Sequence, residues 1–414
     1  MRPTPALVGQ SAVALAEMLR FVQPADRAMS AYFRAHRNFG PRERAFIAET
    51  CFAVLRRKRS LEAAAQSTDP RALVIGALVR YAGISSRAFA DLGREEADIA
   101  ARVKSADGAG LPVAVQMDLP DWLWARLEAE QGEDAKAIAQ SLLAPAPLDL
   151  RVNLARLSRE EALEKLAPEG AVATPWSPAG IRLKGKPAIN RHPLFLEGSV
   201  EVQDEGSQLL AYLVAPRRGE MVADFCAGAG GKTLALSMLM HGTGRLYAMD
   251  VSERRLRELS PRAARAGISN VHPLVLSDEG DLRARRLAGK LDRVLVDAPC
   301  SGFGTLRRNP DLKWRHAEGA IAELTAKQAR ILEAAARLVK PGGRLVYATC
   351  SLLKDENEAV ADAFAAAHPD FEPLSCDALL AAQRIPLETG ARLRLWPHRH
   401  GTDGFFAAAF QRRG

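Results

Sequence analysis

Apolar residues along this chain follow two different rhythms, and the change between them divides it. From about Ser11 to Leu92 the spacing is helical. Its clearest stripe is Ala48, Cys51, Phe52 and Leu55, at i, i+3, i+4 and i+7, which puts all four on one helix face. That helix runs into Arg56-Arg57-Lys58-Arg59, which reads either as a solvated helix end or as a track for a phosphate backbone. Asp107-Gly108-Ala109-Gly110 has the turn residues of a linker. Past it, Pro120-Asp121 opens a helix through Trp122, Leu123 and Leu127, with Asp121 as its N-cap. Leu148 to Leu154 reads as a strand and Val172 to Leu183 as a broken one. Between them Ser158 to Leu166 reads as a helix begun by the capping-box pair Ser158 and Glu161.

From about Gln208 the rhythm becomes strand, helix, strand. Met221–Phe225, Arg245–Asp250, Val271–Leu276, Leu291–Val296 and Arg344–Tyr347 are strands. Lys232–Met240, Glu253–Ala266 and a long segment from about Ala320 to Val339 are helices, the last stopping at Pro341-Gly342-Gly343. Such alternation predicts an open α/β sheet. Three regions are therefore expected: a helical one over 1–105, a small α+β unit over 106–205, and an α/β domain over 206–414. No internal repeat and no low-complexity tract interrupts them.

Composition narrows the picture only a little. The chain has 414 residues, 48% of them hydrophobic, and a formal charge of +8. That balance suits an anionic partner such as nucleic acid, or simply a soluble surface. The cysteine count is five, with no CxxC pair and no histidine at metal-ligand spacing. Neither a disulfide framework nor a metal site is expected. Reduced thiols point to the cytoplasm. No signal pattern opens the chain, no apolar run is long enough for a bilayer, and nothing demands more than a monomer.

Candidate chemistry begins at Asp224-Phe225-Cys226-Ala227-Gly228-Ala229-Gly230-Gly231-Lys232-Thr233, between the first strand and first helix of the α/β domain. Glycines there allow a sharp turn and close approach of a ligand. Asp250 ends the next strand, twenty residues beyond Gly230, where a carboxylate can hold ribose hydroxyls or cap the following helix. A phosphate-loop NTPase would need glycine at Cys226, and a dinucleotide enzyme would need GxGxxG rather than GxGG. S-adenosylmethionine, with a ribose and an adenine but no phosphate, fits best. Asp278, after the third strand, is placed either to bond the adenine amine or to make an ordinary turn.

Two further strings lie past strand ends: Asp297-Ala298-Pro299-Cys300 and Ala348-Thr349-Cys350-Ser351. Ligands bind at that edge of an open α/β sheet. Cys51 and Cys376 read as small core hydrophobes, and Cys226 as a loop residue that does not react. Cys300 and Cys350 point to covalent chemistry, and the reaction that wants this set is methylation at carbon 5 of a pyrimidine. A thiolate adding at carbon 6 makes carbon 5 nucleophilic, and loss of the carbon 5 proton then expels the thiolate. The thiol needs an electropositive neighbour to ionise, and Lys232 is a candidate. Asp297 is the natural acid near ring nitrogen 3. Local spacing alone also allows Lys232 as a solvated first-turn residue and Asp297 as a cap.

With those residues in hand, the chain resembles the Nol/Nop/Sun family of RNA cytosine-5 methyltransferases, in particular its bacterial RsmB branch. The resemblance is best over Leu148 to Gly414. It rests on Asp297-Ala298-Pro299-Cys300-Ser301, Arg307-Arg308-Asn309-Pro310-Asp311, Thr349-Cys350-Ser351 and Gly401-Thr402-Asp403-Gly404-Phe405-Phe406. Weaker likeness marks Glu43 to Arg56 as similar to a NusB-like helical domain, and the middle region as similar to a small RRM-like subdomain. The resemblance implies a Rossmann-like class I methyltransferase domain that uses S-adenosylmethionine on RNA, most naturally ribosomal RNA. It also implies Cys350 as the nucleophile, Cys300 in product release, and Asp297 and Lys232 around the target cytosine. The family loop reads Cys-Ala-Ala-Pro-Gly-Gly-Lys. Here Gly228-Ala229 replace Ala-Pro, which removes the fixed φ of proline.

A cytosine must leave its stack to reach such a pocket. Arg307, Arg308, Lys313 and Arg315 follow Cys300 and are expected either to hold flanking phosphates or to form an exposed basic loop. Rival readings are a tRNA or DNA cytosine methyltransferase, and an RNA-binding assembly factor without catalysis. The intact thiols speak against the last.

Overall fold

The structure is a computed structural model describing residues 3–89 and 92–414. Met1, Arg2, Ala90 and Asp91, which the expected helical region also spans, lie outside the described residues. The chain forms two compact units. One is residues 1–145 with 305–318, and the other is residues 146–304 with 319–414.

The first unit is helical. Its longer helices are Pro5–Met18, Ala25–Ala35, Pro41–Arg56, Pro70–Arg80, Arg94–Ser105 and Asp121–Gln131. Proline opens three of them, where its missing N–H costs nothing and its φ suits the first turn. Of the predicted stripe, Cys51 and Leu55 are fully buried, while Ala48 and Phe52 pack against the core from its margin. Burial pushes the Cys51 thiol up to about 12, which makes it the inert core residue expected.

The first unit takes in residues 106–145 as well as the helices before them. The buried Asp118 carboxylate accepts the Ser60 backbone N–H at 2.9 Å and its hydroxyl at 2.7 Å, tying the following short helices to this core. The α/β domain is also not continuous, because residues 305–318 leave it and join the helical unit. There Asp311 caps the helix starting at Ala25, accepting its N–H at 3.2 Å. That start has proline before it and no side-chain cap of its own. Lys313 Nζ donates to the Arg56 carbonyl at 2.9 Å, and the Trp314 indole to the Leu55 carbonyl at 2.7 Å. These are orphan carbonyls at the end of helix Pro41–Arg56, where a cation is favoured.

The second unit carries two sheets. Strands are numbered β1 (Leu148–Val152), β2 (Val172–Ala173), β3 (Gly180–Leu183), β4 (Val200–Val202), β5 (Met221–Asp224), β6 (Arg245–Asp250), β7 (Val271–Val275), β8 (Leu291–Asp297), β9 (Val339–Thr349), β10 (Phe371–Leu374), β11 (Leu393–Leu395) and β12 (Phe405–Arg412). The small sheet has order β2-β3-β1-β4 and is antiparallel. Both bonds of the Ser158–Glu161 capping box are present.

The large sheet has order β7-β6-β5-β8-β9-β12-β10, with β11 beside β12. The first five strands are parallel and β12 runs against them. This is the expected Rossmann-like architecture. The chain winds outward from β5 through β6 to β7, then resumes on the other side of β5 with β8. That reversal opens a crevice at the carboxyl ends of β5 and β8.

Two local expectations change. Pro341-Gly342-Gly343 does not separate a helix from a strand. The helix ends at Ala336, and these residues loop out inside β9 between the pairs Leu291–Val339 and Arg293–Arg344. The C-terminal strands β10 to β12 carry no alternating signal, since β12 lies between β9 and β10 with Phe405 to Phe410 buried.

Candidate active site

The loop after β5 turns back through Gly228 and Gly230 into the helix Gly231–Leu239. Gly230 has φ of +86°, and a Cβ there would lie 2.2 Å from a Leu259 methyl, so only glycine fits. No proline stiffens this loop. Instead Arg262 donates to the Ala229 carbonyl at 2.6 Å, and Arg151 to the Gly231 carbonyl at 2.8 Å. Asp250, at the tip of β6, accepts the Gly228 N–H at 2.8 Å and the Ser252 N–H at 2.7 Å. The cap of helix Glu253–Ala266 is Ser252, not Asp250.

Beside this loop lies a pocket of about 370 Å³ at the carboxyl ends of β5, β6 and β8. Cys226, Asp250, Asp278, Asp297, Cys300 and Cys350 all line it. Of the expected cofactor-loop residues, Ala227 and Gly228 sit buried in the turn, and Lys232 points from the first helical turn toward β8. Its Nζ is 2.7 Å from Asp297 Oδ2. Burial works against the Lys232 ammonium, but Asp297 outweighs it, with Cys350 and Asp224 adding, and holds the group above the ordinary lysine range. Asp278 is exposed and accepts the Gly280 N–H at 2.7 Å, so it makes a turn as well as lining the pocket.

The two thiols meet. β8 and β9 are adjacent and parallel, with Asp297 opposite Ala348. The turns after them therefore start level, and Cys300 Sγ lies 3.4 Å from Cys350 Sγ. The bond to Cys350 and burial push the Cys300 thiol well above the usual thiol range. Burial, with Asp224, Asp297 and Asp250 nearby, does the same to Cys226. The Gly401–Phe406 string is joined to the turn after β9 through Gly304. The Gly404 N–H donates to Gly304 O, and the Gly304 N–H to Cys350 O, both at 2.8 Å. A Cβ on Gly304 would lie 2.2 Å from the Gly404 carbonyl oxygen.

The expected phosphate contacts fare differently. Arg307 and Lys313 are buried in the helical unit, and burial pushes the Lys313 ammonium down to about 7. Lys313 is committed to the Arg56 carbonyl, so the basic loop expected here is half interior. Arg308 and Arg315 are half-exposed, and Arg315 is 3.5 Å from Asp311. Arg255 and Lys327 line the pocket, and Asp224 and Glu356 are buried beside its lining residues; spacing did not single out any of the four. Glu356 could have been noticed as an acidic residue close behind the Thr349-Cys350-Ser351 string.

Asp224 makes a pH prediction. It accepts the Thr233 hydroxyl at 2.7 Å. Burial drives its carboxyl up to about 7 against that hydrogen bond, with Asp297 adding to the rise. The folded state then keeps a proton that the unfolded chain loses, so this group's contribution to stability falls as pH rises from about 4 to about 7. Asp224→Asn keeps an acceptor for Thr233 and is expected to raise stability at pH 8 by on the order of 2–4 kcal/mol, with little change at pH 4. Urea unfolding at both values reads this, and an unchanged pH dependence would place the proton elsewhere.

Carboxylates from Asp250, Asp278, Glu279 and Asp297 line the pocket against two cations, Arg255 and Lys327, with Phe225, Leu276 and Ile331 as apolar walls. That set suits hydroxyls, amines, a sulfonium and a single carboxylate, and repels a string of phosphates. S-adenosylmethionine fits it, and the sheet around it is that of the S-adenosylmethionine-dependent methyltransferases. Comparison with known proteins narrows the class. Residues 211–411 match the model of the 16S rRNA methyltransferase RsmB/F family, and residues 119–190 that family's ferredoxin-like domain. Ribosomal RNA small subunit methyltransferase B of Xanthomonas campestris pv. campestris is 34% identical over 395 residues, covering 89% of each chain. A methyltransferase homolog from Pyrococcus horikoshii is 31% identical, with TM-score 0.63 over 74% of this chain and 100% of that one. The crystal structure of PH0851 has TM-score 0.80 and 28% identity, covering 100% of both chains. The chain belongs to the RsmB/F methyltransferase family.

Proposed function

We propose that this protein transfers a methyl group from S-adenosylmethionine to carbon 5 of a cytosine in ribosomal RNA of the small subunit, through a covalent adduct with Cys350. The observation that carries this reading is the thiol pair at the pocket mouth, 3.4 Å apart, next to the Lys232–Asp297 ion pair. S-adenosylmethionine, when bound, supplies an electrophilic methyl group. Asp250 and Asp278 would hold its ribose and adenine, with the loop from Cys226 to Gly231 beneath it.

The hydrogen bond to Cys350 and burial favour the thiol form of Cys300. Lys232 gives Cys350 a positive neighbour. Cys350 adds to carbon 6 of the cytosine while Asp297 steadies ring nitrogen 3. Carbon 5 becomes nucleophilic and accepts the methyl group. The carbon 5 proton is lost to water, the carbon–sulfur bond breaks, Cys350 leaves as a thiolate, and Cys300 assists this release. Names of the relatives, the charge of +8 and the half-exposed Arg308 and Arg315 support an RNA substrate. A ribosomal substrate places the work in the cytoplasm.

Incubating the purified protein with S-adenosylmethionine and unmethylated small-subunit RNA, then bisulfite sequencing, should reveal one newly protected cytosine. If protein that binds the cofactor protects none, the cytosine-5 reading fails and the assembly-factor reading gains.

A further inference from the structure

Each cysteine in the pair is followed by a serine, and both serines meet one buried carboxylate. Glu356 sits in the short turn Lys354–Glu356 beyond Cys350 and has 0% exposure. Its Oε1 accepts the Ser301 backbone N–H at 2.8 Å and the Gln328 side-chain amide at 3.0 Å. Its Oε2 accepts the Ser301 hydroxyl at 2.5 Å and the Ser351 hydroxyl. The serine hydroxyls are themselves 3.2 Å apart. Gln328 also donates to the Pro299 carbonyl at 3.0 Å, and the Tyr347 hydroxyl to the Glu356 carbonyl at 2.5 Å.

A carboxylate without water is costly unless its lone pairs are met. Here four donors meet it, and all four are neutral. Three of them come from Ser301 and Ser351, the residues next to the thiols. The arrangement therefore ties the turn after β8 to the turn after β9 at the point where the cysteines face each other. A core held by apolar contact alone would not demand this.

We propose that Glu356 is a positioning residue for the thiol pair, its carboxylate setting the separation at which Cys300 and Cys350 work. The inference rests on the proposed roles of the two thiols, but its geometry can be read without them. Glu356→Gln keeps the shape and one acceptor oxygen, and loses the charge and the second acceptor. Glu356→Asp keeps the charge and shortens the reach. Ser351→Ala deletes one donor and leaves the carboxylate in place.

The experiment measures Cys300–Cys350 disulfide formation by peptide mass spectrometry. The full-length protein is treated with diamide, which takes up the two electrons and two protons released. For Glu356→Gln this rate should fall about tenfold, and kcat about tenfold or more, with KM for cofactor and RNA within about twofold of wild type. Glu356→Asp should recover part of both losses, and Ser351→Ala should show a smaller loss in the same direction. Wild-type crosslinking and kcat in Glu356→Gln would overturn the inference, as would a loss confined to KM or explained by a lower Tm. Should Glu356→Gln lose crosslinking while the wild type protects no cytosine, the proposed chemistry falls and the positioning role stands.

Discussion

Cys350→Ala is expected to abolish methyl transfer, with a rate loss of at least about 10³-fold, and to form no adduct with RNA. Cys300→Ala is expected to do something different: to accumulate a protein–RNA adduct that survives denaturation. The asymmetry follows from the two positions. The carbon 6 bond needs one nucleophile, and the structure gives Cys350 the positive neighbour Lys232 while Cys300 is pushed toward its protonated form. Without Cys350 no bond forms, so nothing can be trapped. Without Cys300 the bond forms and the exit step stalls. A denaturing gel with labelled small-subunit RNA distinguishes the outcomes. The reverse pattern would exchange the roles of the thiols, and adducts from neither variant would remove covalent catalysis from the reading.

Lys232→Met should have the next largest effect, lowering the single-turnover methylation rate by about 10² to 10⁴-fold. Lys232 Nζ lies 2.7 Å from Asp297 Oδ2, and Cys350 is close enough to help hold it charged. Methionine fills a similar volume but leaves Asp297 without its cation and Cys350 without its electropositive neighbour. Adduct yield in a Cys300→Ala background should fall in parallel, which separates a loss of nucleophile activation from a loss of product release. The ion pair also predicts a pH response. Because the folded Lys232 binds its proton more tightly than the unfolded chain does, the contribution of this lysine to stability is fully present just below about pH 10 and is lost as pH rises through the folded value. Lys232→Met should flatten that alkaline fall in a urea-unfolding series. A full-rate Lys232→Met variant would confine Lys232 to structure.

Much of the architecture could be read before any coordinates. Strand–helix alternation from Gln208 onward produced β5 to β8 and the two helices between β5 and β7 with ends displaced by at most a residue, whereas the helix after β8 ends three residues short of its expected end. Such periodicity is a local property, since a strand buried between helices must be apolar whatever its partners. The C-terminal strands escaped because Phe405-Phe406-Ala407-Ala408-Ala409-Phe410 is apolar on both faces and has no period to detect. The segment from Arg307 to Arg315 was misjudged in part. A basic run looks the same whether its charges meet phosphate or the carbonyl ends of a helix, and Lys313 meets the latter at Arg56.

By itself, the sequence determined the class of sheet, the glycine-rich loop after β5 and the strand ends that carry Cys300 and Cys350. Those features depend on residues within a few positions of one another, so local patterning carries them. Only the tertiary structure decided that the thiols stand 3.4 Å apart, that Glu356 joins the turns beneath them, and that residues 305–318 belong with the helical unit. Each of these depends on which strands lie side by side and in what register. Register is set by packing over distances along the chain that no local pattern spans.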